Sequence, residues 1–147
     1  MRQIVDAKIA DTFLEKIIAR AKAYIVGDPL DPSCDIGAMV TQEHMARVTG
    51  YINKGSAEGG QKLSGGALDG LGYFIEPTVF GGLTADMTIV REEIFGPVLG
   101  VLPVSDMNEA LRIAMDTDYG LHATVFTKDI DRALHMARHL PCGTVAV

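Results

Sequence analysis

Apolar residues in the first part of this chain recur at helical spacing. Between Asp11 and Val26 they return every three or four positions, which predicts an amphipathic helix. A short apolar opening at Ile4 and Val5 precedes it. The prolines and aspartates of residues 27–32 predict a loop, because proline fixes φ and disfavours helix at the residue before it. The apolar positions of the predicted helix are Phe13, Leu14, Ile17, Ile18, Ala21, Tyr24 and Ile25.

A second helical pattern follows the loop. Thr41 can cap a helix that carries Met45, Val48 and Ile52 and that should end near the glycines at 59 and 60. The glycines of residues 65–72 predict turns between short strands such as Tyr73-Phe74-Ile75. A phosphate-binding loop would need a helix after these glycines, so turn formation is the better interpretation.

From Val98 onward, short runs of apolar residues alternate with segments in which apolar residues recur at helical spacing. The pattern predicts a strand over Val98–Val104, Ser105 as a helix cap, a strand over residues 123–127 and a last strand over residues 143–147. Parallel strands joined by helices require right-handed crossovers, so the predicted class is α/β with a parallel, buried sheet. The two intervening helices are marked by Ala110, Leu111, Ala114 and Met115, and by Ile130, Ala133, Leu134 and Ala137.

Composition narrows the functional classes. The 147 residues suit one compact unit, and 48% apolar content supports a sizeable core. A net charge of −6 argues against nucleic-acid or anionic-membrane partners. Neither a membrane-spanning run nor a signal-peptide pattern is present, which predicts a cytoplasmic location. Cys34 and Cys142 are too few for a disulfide framework, so both are expected to be reduced.

The most informative segment spans residues 91–99, with the sequence Arg-Glu-Glu-Ile-Phe-Gly-Pro-Val-Leu. Gly96-Pro97 predicts a rigid bend before a strand, which would hold Glu93 and Phe95 at the mouth of that strand. α/β proteins bind cofactors at such places. A solvated turn is the plainer alternative.

With these residues in view, the chain resembles the C-terminal half of the catalytic domain of NAD(P)-dependent aldehyde dehydrogenases. The resemblance runs over nearly the whole length, and the order and spacing of the matching segments make it specific. That family has a three-layer, mostly parallel sheet flanked by helices. The matching segments are residues 27–32 with Ile36-Gly37, residues 72–79, residues 92–98, Tyr119-Gly120-Leu121, residues 125–129 and Gly143-Thr144-Val145.

The resemblance implies cofactor-binding roles for two residues. Glu93 matches the carboxylate that binds the hydroxyls of the nicotinamide ribose, a task for a group that only accepts hydrogen bonds. Phe95 matches the aromatic beside the nicotinamide ring, where it would orient that ring for hydride transfer. The cofactor would be NAD or NADP in the intact family, and we expect this chain alone not to bind it tightly.

The departures from the family pattern matter as much. The nucleophilic cysteine segment would lie just upstream of Arg2, and neither the general-base glutamate nor the glycine-rich dinucleotide site has a counterpart. Residues 1–147 are therefore expected to form part of the catalytic domain without a dinucleotide-binding domain. No catalytic residue is assigned, and we expect no aldehyde oxidation to carboxylate by this chain alone.

Other candidate chemistry is weaker. Neither cysteine lies in the family's nucleophile motif. The spacing of His135, His139 and Cys142 resembles that of metal ligands. These residues would supply only one face of a site, so no metal site is assigned. The aspartates at 28, 31 and 35 lack the pattern of a calcium loop and are better explained by Asx turns.

Two hypotheses remain open. The first is a piece of an aldehyde dehydrogenase that acts on a small-molecule aldehyde only in the intact enzyme. The second is a free-standing, non-catalytic binding or assembly module. The chain ends in the apolar Val145-Ala146-Val147, which suggests part of something larger or a last strand that finds a partner. Unpaired strand edges favour a homo-oligomer, a dimer or higher.

Overall fold

The computed structural model describes residues 2–70 and 72–147, and it confirms the α/β class. The strand predicted over Val98–Val104 and the helix capped by Thr41 are both confirmed. The elements in chain order are β1 (Arg2–Asp6), α1 (Ala7–Lys22), α2 (Gln42–Ala57), β2 (Gln61–Ala67), β3 (Ile75–Gly81), α3 (Thr88–Arg91), β4 (Val98–Val104), α4 (Met107–Met115), β5 (His122–Thr124), α5 (Ile130–His139) and β6 (Thr144–Ala146).

The strands form two sheets rather than the single parallel sheet expected from β4 onward. The larger has the order β1-β4-β3-β2, with β3 parallel to β4 and antiparallel to β2. β5 and β6 pair in parallel with each other. Each of these two strands has three residues and exposed ends, so the prediction of burial was wrong for them. β4 lies between two strands, which explains its almost continuous apolar sequence.

The chain forms two compact units, where its length alone had suggested one. The first contains the described residues of 1–3 and 9–102, and the second contains residues 4–8 and 103–147. In the first unit the most deeply buried side chains come from α2, β3 and β4, and they include Val48, Ile75, Val79, Phe80 and Val101. In the second unit the buried apolar side chains include Val5, Val104, Ile113, Ala133 and Leu140.

Helix α1 begins four residues earlier than predicted. The apolar opening is strand β1, and the carboxylate of Asp6 accepts a hydrogen bond from the Lys8 N–H at 2.9 Å. This contact satisfies a backbone donor at the helix start, so Asp6 rather than Asp11 marks the beginning. The helix then ends at Lys22, ahead of the predicted Val26.

The prediction for the glycine-rich region was correct at Gly70 and Gly72, which lie in the loop between β2 and β3, and wrong at the first two glycines. Gly65 and Gly66 lie inside β2 rather than in a turn, and both have positive φ. The register between β2 and β3 shifts on either side of Ser64, which marks β-bulges in this strand. A Cβ on Gly65 would lie 2.5 Å from the carbonyl oxygen of Pro77, so close pairing with β3 requires glycine there. Tyr73 and Phe74 precede β3, which begins at Ile75.

Helix α4 is capped one residue later than predicted. Asp106, rather than Ser105, is the N-cap, and its carboxylate accepts from the Glu109 N–H at 2.9 Å. Glu109 reaches back to accept from the Ser105 N–H and hydroxyl. These reciprocal bonds resemble a capping box shifted by one residue. They lower the pKa of Glu109, the Ser105 N–H being the largest contribution.

The loop before α2 contains the expected Asx turns at Asp28 and Asp31, whereas the Asp35 carboxylate accepts from the Ile25 N–H instead. The carboxylates of Asp28 and Asp31 accept from the N–H groups two residues ahead, at Leu30 and Ser33. The Ser33 N–H and hydroxyl lower the pKa of Asp31. Among residues 2–70 and 72–147, no helix has the length and apolar character needed to cross a membrane.

Candidate functional site

The segment Glu92–Gly96 presents two side chains to solvent around one buried anchor. Ile94 is 2% exposed and is part of the core of the first unit. Glu93 and Phe95, on either side of it, are exposed, and the Phe95 side chain is 68% accessible. An exposed aromatic of this size is unusual beside a well-packed core. The two residues predicted to bind the cofactor are thus accessible to a ligand.

The backbone of Phe95 is held in an unusual conformation. Its φ is +52°, which makes it the one non-glycine residue with positive φ in the described chain. Left-handed backbone is unfavourable for a side chain with a Cβ and persists where neighbouring structure holds it. The Phe95 carbonyl lies 2.6 Å from Nε2 of His44 on α2. Because a carbonyl oxygen can only accept, His44 Nε2 carries the proton in this bond.

Helix α2 also fixes the position of Gly96. A Cβ built on Gly96 would lie 2.7 Å and 2.8 Å from the two methyl carbons of Val48, which is fully buried. Only a residue without a side chain lets the segment approach the helix this closely. The bend at Gly96-Pro97 then leads directly into β4. The predicted rigid turn is therefore packed against α2.

The acidic end of the segment is tied to the same helix. The Tyr51 hydroxyl donates to a carboxylate oxygen of Glu92 at 2.6 Å. Sequence reasoning missed both Tyr51 and His44. The available signal was their spacing from Val48, because positions three or four residues apart lie on one helix face. That face carries His44, Val48, Tyr51, Ile52 and Gly55.

Further along this face, α2 contacts the short helix α3 that precedes the segment. A Cβ on Gly55 would lie 2.6 Å from a methyl carbon of Ile89, so glycine permits the close packing. Glu58, just beyond α2, accepts from the Thr88 N–H at 2.7 Å and the Thr88 hydroxyl at 2.6 Å. The Thr88 hydroxyl, followed by its N–H, lowers the pKa of Glu58 below its ordinary 4.5. The carboxylate thereby satisfies two donors at the start of α3.

An open depression of about 490 Å³ lies beside the first turn of α2, the same end that carries His44. It is lined by Thr41, Gln42, Glu43 and Ala46. The Thr41 hydroxyl caps the helix by accepting from the His44 N–H at 3.1 Å. This cap orders the turn from which His44 reaches Phe95.

The remaining candidate residues lie apart from this segment in sequence. Cys34 is half-buried and its thiol donates to the Ile36 carbonyl at 3.2 Å, and Cys142 is also half-buried. The rings of His135 and His139 stack at 4.2 Å. Among the described residues, no group of three or more His, Cys, Asp or Glu is arranged to hold a metal ion.

The Glu92–Gly96 segment has the chemistry to hold a nucleoside. An exposed carboxylate can accept hydrogen bonds from a ribose diol, while a nearby exposed ring can pack against a flat heterocycle. Ile94, the His44 bond and the Val48 contact hold the backbone from the opposite side. The residues present therefore fit a dinucleotide's ribose and ring.

Sequence comparison gives a consistent family. Residues 1–147 match the profile described as the aldehyde dehydrogenase family. The chain is 44% identical over 147 residues to the human mitochondrial aldehyde dehydrogenase, covering 99% of this chain and 28% of that protein. It is 43% identical over 148 residues to the betaine aldehyde dehydrogenase of Rhizobium leguminosarum bv. trifolii, covering 98% of this chain and 30% of the relative.

Solved structures agree in fold. HpcC from Thermus thermophilus superposes with a TM-score of 0.95 at 44% identity. The NAD+ complex of a Bacillus cereus aldehyde dehydrogenase superposes with a TM-score of 0.96 at 37% identity. Each match covers 99% of this chain and 30% of the solved chain. The chain thus spans about three-tenths of the length of the proteins it matches.

Proposed function

This chain belongs to the aldehyde dehydrogenase family, and we propose that it supplies the nicotinamide-positioning part of an NAD(P)-dependent oxidoreductase. The observation that carries the proposal is the exposed pair Glu93 and Phe95, flanking the buried Ile94 on a backbone held by α2. In this proposal the Glu93 carboxylate accepts hydrogen bonds from the ribose hydroxyls next to the nicotinamide. The Phe95 ring packs beside the nicotinamide and limits its orientation.

The matched proteins support the choice of cofactor. The Bacillus cereus structure named above is an NAD+ complex, and a betaine aldehyde dehydrogenase from Staphylococcus aureus, at 35% identity and a TM-score of 0.94, was solved with NAD+. When bound, NAD(P)+ accepts a hydride from the substrate. The residues of this chain orient the acceptor ring and exclude other poses. Neither residue transfers a proton or forms a covalent bond in this role.

We propose that residues 1–147 are part of a catalytic domain and include no dinucleotide-binding domain. Oxidation of an aldehyde to a carboxylate by this family uses a cysteine nucleophile and a general base, and neither Cys34 nor Cys142 lies in the corresponding motif. The isolated chain should therefore produce no NADH from an aldehyde. Steady NADH formation, followed by absorbance, by the purified chain but not by a mock purification would contradict this.

Cofactor contact is testable on the chain itself by saturation-transfer NMR with millimolar NAD+. Binding is expected to be weak, with saturation reaching the nicotinamide and adjacent ribose protons of the wild-type chain. Glu93→Gln should reduce that transfer by roughly tenfold, because a hydrogen bond to a charged group contributes about 1.5 kcal/mol or more. The matched control is Glu76→Gln, a charge removal at an exposed position on β3 that should leave the transfer unchanged. Equal transfer to wild type and Glu93→Gln would overturn the assignment.

We also propose that the chain self-associates as a dimer or larger oligomer. Large apolar side chains are exposed in the second unit, including Leu121 at 85% and Phe126 at 91%. A second copy of the chain that covered them would remove this apolar surface from water. Light scattering at tens of micromolar should give more than the monomer mass, and a strictly monomeric particle would count against the proposal. Self-association together with a complete absence of NAD+ contact would instead favour the non-catalytic assembly module.

A further inference from the structure

We infer that His44 is a positioning residue for the cofactor-binding segment, acting through the carbonyl of Phe95. The inference rests on the proposed function, because it explains how Glu93 and Phe95 keep the geometry that cofactor binding requires. His44 lies on α2, 51 residues from Phe95 in sequence. Its side chain bonds to the backbone of the segment, so it acts on the cofactor only indirectly.

The conformation of Phe95 explains why such a bond is needed. At φ +52° a residue with a Cβ lies in the left-handed region, which is intrinsically less stable than the extended or right-handed alternatives. A peptide in that state reverts unless its neighbours favour it. The His44 Nε2–H group donates to the Phe95 carbonyl at 2.6 Å, and this bond can form only when the carbonyl points toward α2. Release of the carbonyl would let the peptide rotate, and the Phe95 ring would move with it.

Helix α2 makes a second hydrogen bond to the segment, and a packing contact lies between the two hydrogen bonds. Tyr51 lies seven residues after His44, which places both on one face two turns apart, and its hydroxyl binds Glu92. Val48 lies between them and contacts Gly96. Glu92 and Phe95 flank Glu93 and Ile94, so α2 defines the path of the backbone between them. Tyr51 therefore positions the acidic end and His44 positions the aromatic end.

This arrangement couples α2 to cofactor affinity. If only part of the population has the binding-competent backbone, the apparent dissociation constant rises in inverse proportion to that fraction. Loss of a hydrogen bond of ordinary strength would lower the equilibrium constant for the competent backbone by about fivefold, and the competent fraction by up to that factor. Substitution of His44 should thus weaken NAD+ binding through the backbone of Phe95.

The test compares His44→Leu with His44→Gln in the full chain. Leucine fills the space without a donor, whereas the glutamine amide can still donate to a carbonyl. NMR gives two readouts: the carbon chemical shifts of Phe95, which report its backbone conformation, and NAD+ titration of the same residue. His139→Gln, in the second unit, controls for the loss of a histidine. The imidazole nitrogen shifts of wild-type His44 should show a proton on Nε2, which requires no variant to fold.

We expect His44→Leu to shift Phe95 away from left-handed values and to weaken NAD+ binding by up to about fivefold. His44→Gln should stay within about twofold of wild type, a rescue that a purely structural role for the imidazole ring would not give. Unchanged Phe95 shifts in His44→Leu, or a wild-type His44 without a proton on Nε2, would overturn the inference. If Phe95 responds to His44→Leu while Glu93→Gln leaves NAD+ contact intact, the positioning stands and the assignment of Glu93 fails.

Discussion

Val48 and Gly96 meet so closely that a single methyl group does not fit between them. A Cβ at Gly96 would lie 2.7 Å from a methyl carbon of Val48, whereas side-chain carbon atoms in contact are normally about 3.5–4.0 Å apart. Val48 is fully buried and cannot turn toward solvent. The approach of the Gly96-Pro97 bend to α2 therefore depends on glycine, and with it the position of Glu93 and Phe95.

Gly96→Ala should destabilise the chain by about 1–3 kcal/mol, the usual cost of forcing an extra carbon into a packed core. Urea unfolding followed by circular dichroism measures this. Gly50→Ala is the control, because Gly50 lies on α2, the helix that contains Val48, and has open space at the Cβ position. Alanine in place of glycine within a helix should stabilise this variant by roughly 0.5–1 kcal/mol. In a Val48→Ala background the cost of Gly96→Ala should shrink. Equal effects at both glycines would contradict the packing account.

The Glu58 bonds to Thr88 predict a pH dependence of stability. The pKa of Glu58 is lowered in the folded chain. The stabilisation that ionised Glu58 gives to the folded state is therefore complete above its ordinary pKa of 4.5, and it is lost as the pH falls through the lower pKa of the folded state. Glu58→Gln removes the ionisable group, so the stability gap between wild type and this variant should narrow from neutral pH to about pH 3. Urea unfolding at both pH values measures the gap.

Thr88→Val checks the cause of that dependence. It removes the hydroxyl that contributes most to the lowered pKa, so its stability gap from wild type should also narrow in acid. A gap that stays constant or widens as the pH falls, in either variant, would show that Glu58 gains nothing from Thr88.

Asp106 and Ser105 should differ in their importance for α4. Asp106→Ala removes the N-cap and should cost about 1 kcal/mol. Ser105→Ala removes a hydroxyl, but the Ser105 N–H still donates to Glu109, so the loss should stay within about 0.5 kcal/mol. Thermal unfolding of the two variants side by side measures the difference. A larger loss for Ser105→Ala would restore the capping role expected from sequence.

Substitution of Ile94 should mainly reduce stability, whereas substitution of Phe95 should mainly reduce contact with NAD+. Ile94→Ala empties a buried position and should cost about 2–4 kcal/mol. Phe95→Ala truncates an exposed ring and should change stability by no more than about 0.5 kcal/mol, yet reduce saturation transfer from the protein to the nicotinamide of NAD+. Denaturant unfolding and saturation-transfer NMR on both variants test this. If Phe95→Ala were as destabilising as Ile94→Ala, the Phe95 ring would have to be part of the hydrophobic core.

Features with local causes could be predicted from the sequence. Thr41 was identified as a cap because a hydroxyl before an amphipathic run satisfies free N–H groups of the first turn. The bounds of β4 were correct because Pro97 precedes it and its apolar residues run almost without interruption. The exposed pair Glu93 and Phe95 was singled out from the same bend. Its role as a cofactor site came from family resemblance and stays a prediction.

Features that depend on contacts between residues far apart in sequence could not be predicted from the sequence. Gly65 and Gly66 suggested a turn, whereas the close approach of Pro77 in β3 makes glycine necessary within a strand. The spacing of His44 from Val48 places it on the buried face of α2, but nothing in the sequence indicates its partner, which lies 51 residues away. The pairing of β5 with β6 apart from β4 also depends on contacts that alternating apolar blocks do not encode. Tertiary packing decided each of these.

Titration of the wild-type chain with NAD+, followed by a map of backbone amide shifts, tests whether the segment Glu92–Gly96 positions the nicotinamide. We expect the largest changes on Glu93, Phe95 and their neighbours through Gly96, with smaller changes at His44. NADH, whose nicotinamide ring has a different charge, should perturb the same residues. Changes confined to the second unit, or none at millimolar NAD+, would contradict the claim that this segment positions the nicotinamide.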